Sequence, residues 1–246
     1  MKLIVGRKPV LDAINADEKL ESVFILFGQQ GPIIDAIRVA CTKREITCKQ
    51  VKLEKYQSLV KKVNAQGVVA VGSEATYFNL KDIISRAKAN PKNKYPLVLI
   101  IDSIQDTHNL GAILRTAECA GVDGIVLTKF NSAPINETVM KTSAGAVNHL
   151  KICLVGNVVQ AIQELKENGF WIIGSTLNNS KFYDEIDYNF PSVLIVGNEE
   201  KGMRKLVADQ CDFLVKIPMS GKVQSLNVSV ATGVLLFNIL SQNQNK

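Results

Sequence analysis

Residues 97–122 read LVLIIDSIQDTHNLGAILRTAECAGV, and this stretch decides the fold. Residues 97–101 are five apolar side chains in a row, the pattern of a short strand buried on both faces. Residues 102–108 are polar and predict a loop. From Asn109 the apolar residues fall at Leu110, Ile113, Leu114 and Ala117, which is helical spacing. Asn109 stands where an N-cap belongs and Gly121 where a helix ends. Strand, loop and helix together make the unit of a parallel sheet, whose ligands sit beyond the carboxyl ends of the strands. Arg115 lies in an otherwise apolar, small-residue part of that helix. A guanidinium there either snorkels to water or meets a carboxylate or a phosphate.

The same alternation extends outward. Strands are predicted at 124–127, 150–155, 170–174, 193–196 and 213–217, with helices at 137–144, 158–167, 203–208 and 226–240. The last helix contains VSVATGVLLFNIL, apolar nearly all round, and is therefore expected to be buried. Residues 95–246 thus read as an α/β domain with a mostly parallel sheet. Upstream, residues 1–75 predict a smaller α/β domain, with helices at 8–15, 33–43 and 56–62 and strands at 22–27, 48–53 and 68–71. Asn79 caps a further helix running to Ala89, with Asp82 near its start and Arg86 and Lys88 near its end. Residues 76–94 read as a basic linker around that helix.

At 246 residues and 46% hydrophobic content the chain can bury a sizeable core. No apolar run approaches the ~20 residues of a membrane span, and the N-terminus lacks the long apolar core of a signal peptide. A cytoplasmic protein is expected. The five cysteines, Cys41, Cys48, Cys119, Cys153 and Cys211, form no CxxC pair, and only His108 and His149 could assist them. Neither a disulfide framework nor a metal site is expected. The net charge of +6 is uneven: residues 1–75 hold 12 Lys+Arg against 8 Asp+Glu, residues 76–94 hold 5 against 1, and residues 95–246 hold 12 against 14. A polyanion would be gripped by the first third and the linker.

No strand is followed by GxGxxG, so the usual dinucleotide fingerprint is absent. Residues 197–202, GNEEKG, have the spacing of a phosphate loop but continue Met203-Arg204 and carry two glutamates, which excludes a Walker A site. GxSxG and HExxH are also absent. Three loops at strand ends remain: 102–115, 197–202 and 217–229. The last contains Ser225-Leu226-Asn227-Val228-Ser229 at a helix start, where free N–H groups and side-chain oxygens suit ribose hydroxyls or a carboxylate.

DSIQDTHNLGAILRTAECAGV, LIVGNEEKGM and IPMSGKVQSLNVSVATG resemble, in order and spacing, the three motifs of the SpoU class of SPOUT RNA ribose 2′-O-methyltransferases. The preceding domain, opening GRKPVLDAI, resembles the ribosomal-protein-like RNA-binding domain of the branch that methylates a guanosine of 23S ribosomal RNA. The resemblance implies a parallel sheet whose C-terminal segment forms a deep trefoil knot, a homodimer, and S-adenosyl-L-methionine as cofactor. It assigns Asn109, Arg115 and Glu199 to catalysis. Gly197, Ile217, Met219 and Leu226 match positions around the cofactor, and Ser225 and Asn227 match groups near the substrate ribose. Thr107, Asn198 and Glu200 depart from the family pattern, where proline, serine and glycine are common. The family proposal makes Arg115 the general base, a strained role for a group that holds its proton so strongly. A grip on the target phosphate and developing alkoxide, with Glu199 orienting the arginine, is the alternative. Transfer RNA as substrate, or an RNA-binding assembly protein without catalysis, are the rival functions.

Overall fold

A computed structural model of the chain describes residues 3–16, 18, 20–60, 66–72, 77–90, 94–177, 180–223 and 225–243. Lys61 and Lys62 of the helix expected from Tyr56, Pro91 and Lys92 of the linker, and the tail from residue 244 lie outside the described residues. The chain divides into two compact units, Met1–Glu74 and Ala75–Lys246.

The first unit runs β1 (Leu3–Val5), α1 (Arg7–Asn15), β2 (Leu20–Leu26), α2 (Pro32–Lys43), β3 (Thr47–Val51), α3 (Leu53–Leu59) and β4 (Val68–Gly72). Its sheet has the order β1-β4-β2-β3, with β2 and β3 parallel and β4 antiparallel to both β1 and β2. The alternation of β2 sends Val23 and Ile25 into a core with Val10, Ile14, Ile34 and Ile37 of α1 and α2, while Phe24 and Leu26 pack beside Tyr56 of α3. The short strand β1 is not among the elements predicted above, because three residues at a chain start carry too little periodicity to read.

The second unit runs β5 (Tyr77–Phe78), α4 (Leu80–Ala89), β6 (Leu97–Ile101), α5 (Thr107–Cys119), β7 (Gly124–Thr128), α6 (Glu137–Thr142), β8 (Ile152–Val155), α7 (Val158–Glu167), β9 (Trp171–Ser175), β10 (Lys181–Phe182), β11 (Ser192–Val196), α8 (Lys205–Ala208), β12 (Phe213–Lys216) and α9 (Val228–Asn243). The strands form one sheet in the order β10-β12-β9-β11-β6-β7-β8-β5, parallel throughout. Every residue of β6, β7 and β11 is buried, as strands covered on both faces require. Leu97, Leu99 and Ile101 point to one layer with Ile113, Leu114 and Ala117 of α5 and Leu235, Leu236 and Ile239 of α9. Val98 and Ile100 point to the other, with Ile83 and Ile84 of α4 and Ile162 and Leu165 of α7.

The segment expected as a basic linker contains β5 and α4. Asn79 caps α4 by accepting the Asp82 N–H at 2.8 Å, and the helix buries Leu80, Ile83, Ile84 and Ala87. It lies so close to β7 that a Cβ at Gly124 would come within 2.3 Å of Ile83 Cγ2. Lys81, Arg86 and Lys88 occupy its exposed face.

Candidate functional site at the switch point of the parallel sheet

From β6 the chain passes through α5 to β7 on one side, while β11 on the other side is followed by β12 lying further away. The order therefore reverses between β6 and β11, and a crevice opens beyond their carboxyl ends. Two of the three loops singled out in the sequence meet there, and the third reaches them from the end of β12.

The first loop leaves β6 with the Asp102 N–H donating to Val196 O of β11 at 2.9 Å. Ser103 follows with a positive φ of 62°, its N–H held by Thr128 Oγ1 at 3.0 Å. The helix α5 then starts at Thr107, because Asp106, not Asn109, is its cap: the Asp106 carboxylate accepts the Asn109 N–H at 2.7 Å. That frees the Asn109 side chain for the crevice.

The second loop turns back on itself after β11. Asn198 and Gly202 exchange backbone bonds of 3.1 and 2.9 Å, and Asn198 Oδ1 accepts from the N–H of Glu200 and Lys201. Gly197 has no room for a side chain, since a Cβ would lie 2.5 Å from Met203 N. Met203 packs under the loop beside Cys211, whose thiol burial pushes up to about 12. Asn198 Nδ2 also reaches Ser103 O at 2.9 Å, tying the second loop to the first. Asn198 thus supplies in its side chain what a tight turn with Glu200 in it needs.

Glu199 stands between the loops. Its carboxylate accepts from the N–H groups of Gln105 and Asp106 at 3.5 and 3.3 Å, from Asn198 Nδ2 at 3.1 Å and from Asn109 Nδ2 at 3.4 Å. The third loop closes the chain of contacts: Asn227 Nδ2 donates to Asn109 Oδ1 at 2.9 Å. Asn227 also caps α9 by accepting from the N–H and hydroxyl of Ser229. Ser225, next to the helix start expected at Leu226, lies exposed just ahead of it. Asn109, Glu199 and Asn227, far apart in sequence, are thus one hydrogen-bonded line.

Arg115 is not part of that line. It is exposed on α5, and no hydrogen bond or ion pair joins it to another described residue. Six positions from Asn109, it lies about 120° away around the helix. Glu199 is held by amides, not by this arginine. A residue the sequence did not single out is Arg204, which forks onto Asp102 through Nε and Nη2 at 2.9 and 2.8 Å. Asp102 is 1% exposed, so a buried carboxylate at the end of β6 is neutralised from the start of α8. A buried aspartate at a strand end was the available signal, and its partner 102 positions away was not.

Around the crevice, Ile217 is half-buried against the core, while Met219 and Leu226 each expose 38% of their surface. A turn at Gly197 too tight for a side chain, with partly exposed apolar side chains at Ile217, Met219 and Leu226, suits a flat ligand. Among the described residues no group of His, Cys, Asp and Glu is arranged to hold a metal ion. No described helix is long and apolar enough to cross a membrane.

Residues 96–237 match the SpoU rRNA Methylase family, and residues 3–78 match the RNA 2'-O ribose methyltransferase substrate binding family. A Bacillus subtilis protein that carries the name of a TrmH family tRNA/rRNA methyltransferase is 36% identical over 240 residues, 96% of this chain and 94% of its own. The AdoMet-bound rRNA methyltransferase of Sinorhizobium meliloti is 26% identical, with a TM-score of 0.62, over 99% of this chain and 88% of that one. The A. aeolicus TrmH/SpoU tRNA modifying enzyme is 34% identical with a TM-score of 0.56, over 66% of this chain and 81% of its own.

Proposed function

The chain belongs to the SpoU rRNA methylase family, and from that membership we propose that it transfers a methyl group from S-adenosyl-L-methionine to the ribose 2′-OH of a guanosine in 23S ribosomal RNA. The observation that carries ribosomal over transfer RNA is coverage. The Sinorhizobium rRNA enzyme aligns over 99% of this chain, first unit included, whereas the A. aeolicus tRNA enzyme aligns over 66%. The test is methyl transfer to isolated 23S rRNA and to bulk tRNA, with 2′-O-methylation then mapped in rRNA from a strain lacking the protein. Labelling of tRNA alone would reject the reading.

The residues fit the cofactor: Gly197, Ile217, Met219 and Leu226 would hold it, at the carboxyl ends of β11 and β12. When bound, it supplies an already activated sulfonium methyl. The protein's task is to bring the ribose oxygen into line with that methyl and stabilise the oxygen as its proton departs. The line through Asn227, Asn109 and Glu199 ties together the three loops that frame the crevice. Ser225 and Asn227 offer a hydroxyl and an amide to the ribose. Arg115, with its fork unengaged by any described residue, grips the phosphate of the target nucleotide and the developing alkoxide.

The reading includes a homodimer through the second unit. Val230 and Phe237, exposed at 52% and 47%, flank the half-buried Val234 on one stripe of α9, which is an apolar face that a second copy covers. Sedimentation at micromolar concentration should give twice 27.0 kDa. Phe237→Asp should give the monomer, and a wild-type monomer would reject the pairing.

A further inference from the structure

In the first unit, the carboxyl ends of β1, β2 and β3 and the amino end of β4 share one edge of the sheet, and backbone bonds lace that edge together. The N–H groups of Gly6, Leu26 and Phe27 donate to Val68 O, Gly67 O and Val51 O at 2.9, 2.8 and 2.8 Å. Side chains cross it too: Arg7 Nε donates to Gln66 O at 3.1 Å and its Nη2 to Gln29 Oε1. On this edge three large apolar side chains stand in water: Phe27 at 74% exposure, Leu53 at 54% and Ile33 at 41%.

A single exposed phenylalanine needs no explanation. This one shares its edge of the sheet with several cations. Arg7, Lys8, Lys52 and Lys55 lie on the same edge against two carboxylates, Glu54 and Asp35. Arg7 is held in place by Gln29 and Gln66, so its remaining N–H groups are aimed and not free to wander. Aromatic surface framed by basic groups fits a strand of nucleic acid with unpaired bases, where rings stack and phosphates meet the charges. Duplex RNA has its bases stacked inside and offers such a ring nothing.

We propose that this edge of the first unit binds an unpaired nucleotide of the RNA substrate, with Phe27 stacked on the base and Arg7, Lys8 and Lys52 on the flanking phosphates. The proposal rests on the reading of the chain as an RNA-modifying enzyme and specifies where and how it holds RNA away from the reacting ribose. The flat ring of Phe27 selects unpaired structure. The cations supply strength without regard to sequence.

The test uses the full chain and a single-stranded RNA oligonucleotide carrying 2-aminopurine, with the same strand in a duplex as control. Phe27→Ala should weaken single-strand binding by about fivefold to a hundredfold and abolish the stacking quench of 2-aminopurine. Phe27→Trp should retain both, which a loss of folding would not allow. Lys52→Gln should instead lower the slope of affinity against salt, leaving the quench in place. Affinity for S-adenosyl-L-methionine should not change in any of the three. RNA binding that Phe27→Ala leaves intact would overturn the proposal while the RNA reading stands. Failure of the unaltered chain to bind RNA would overturn both. Unchanged RNA affinity with an altered sedimentation coefficient in Phe27→Ala would assign the edge to a protein partner and overturn the proposal as well.

Discussion

Arg115 and Arg204 carry the same group in opposite settings. Arg204 forks onto Asp102 with bonds of 2.9 and 2.8 Å, and that pair closes the end of β6 against the start of α8. Arg115 stands exposed on α5 with no described partner. A guanidinium matched within the chain holds the fold, and one left open is available to a phosphate. The sequence alone draws attention to only one of the two: Arg115 is conspicuous on an apolar helix, while Arg204 is one basic residue among many.

The difference predicts that each arginine fails in its own currency. Arg204→Leu leaves the Asp102 carboxylate, 1% exposed, buried without its fork. Removing one partner of such a pair typically costs roughly 3–5 kcal/mol, and urea unfolding should show a loss toward the lower end, because Arg204 itself is 55% in water. Arg204→Lys restores the charge but not the second bond and should recover part of it. Stability unchanged in Arg204→Leu would mean that water already satisfies Asp102, and the contrast between the two arginines would collapse.

Arg115→Lys should leave stability within roughly 0.5 kcal/mol, as substitution at an exposed, uncontacted position does. Turnover is where it should fail. Losing a bidentate transition-state contact typically costs roughly 3 kcal/mol, on the order of a hundredfold in rate. Cofactor affinity should be unaffected, since Gly197, Ile217 and Leu226 lie in other loops. A general-base role would add a pH signature: the wild-type rate would rise through an arginine inflection, and lysine would move it. Near wild-type turnover in Arg115→Lys would return the residue to a snorkelling surface arginine.

What could be read in advance follows from what is local. The buried strands β6, β7 and β11 were legible because short unbroken apolar runs, Leu97–Ile101, Ile125–Leu127 and Val193–Val196, lie between turn-forming stretches. The three loops were legible as strand ends, and their convergence follows from parallel topology. Capping was legible in kind but not in position. Asn109 and Asp106, and likewise Ser225 and Asn227, are equally good caps by composition, and only the backbone chooses between them. The helix from Asn79 to Ala89 was also legible from its cap, yet its basic residues suggested a connector. Its packing on β7 depends on the missing side chain of Gly124, which nothing within 79–89 announces. The Asp102–Arg204 fork and the bond from Asn109 to Asn227 span 102 and 118 positions. Contacts of that range leave no local periodicity in the chain.

The smallest expected effect belongs to the residue between the two arginines. Glu199 presents two oxygens to four donors: Oε1 to Asp106 N–H and Asn109 Nδ2, Oε2 to Gln105 N–H and Asn198 Nδ2. Glu199→Gln keeps one acceptor and turns an NH2 toward two donors on the other side, so one half of the anchor is lost and the charge with it. All four distances are 3.1 Å or more and two of the four bonds are exposed, which limits the cost to about 1–2 kcal/mol. Turnover should fall by about tenfold, less than in Arg115→Lys, and the affinity for cofactor should fall with it, because Glu199 fixes the turn that begins at Gly197. A joint loss of that kind marks Glu199 as a positioning residue for the crevice. If Glu199→Gln instead lowers turnover as far as Arg115→Lys while cofactor affinity holds, then the glutamate acts on the substrate directly. The separation between a locked network and an open arginine would then give way to a single catalytic pair assembled only when RNA is bound.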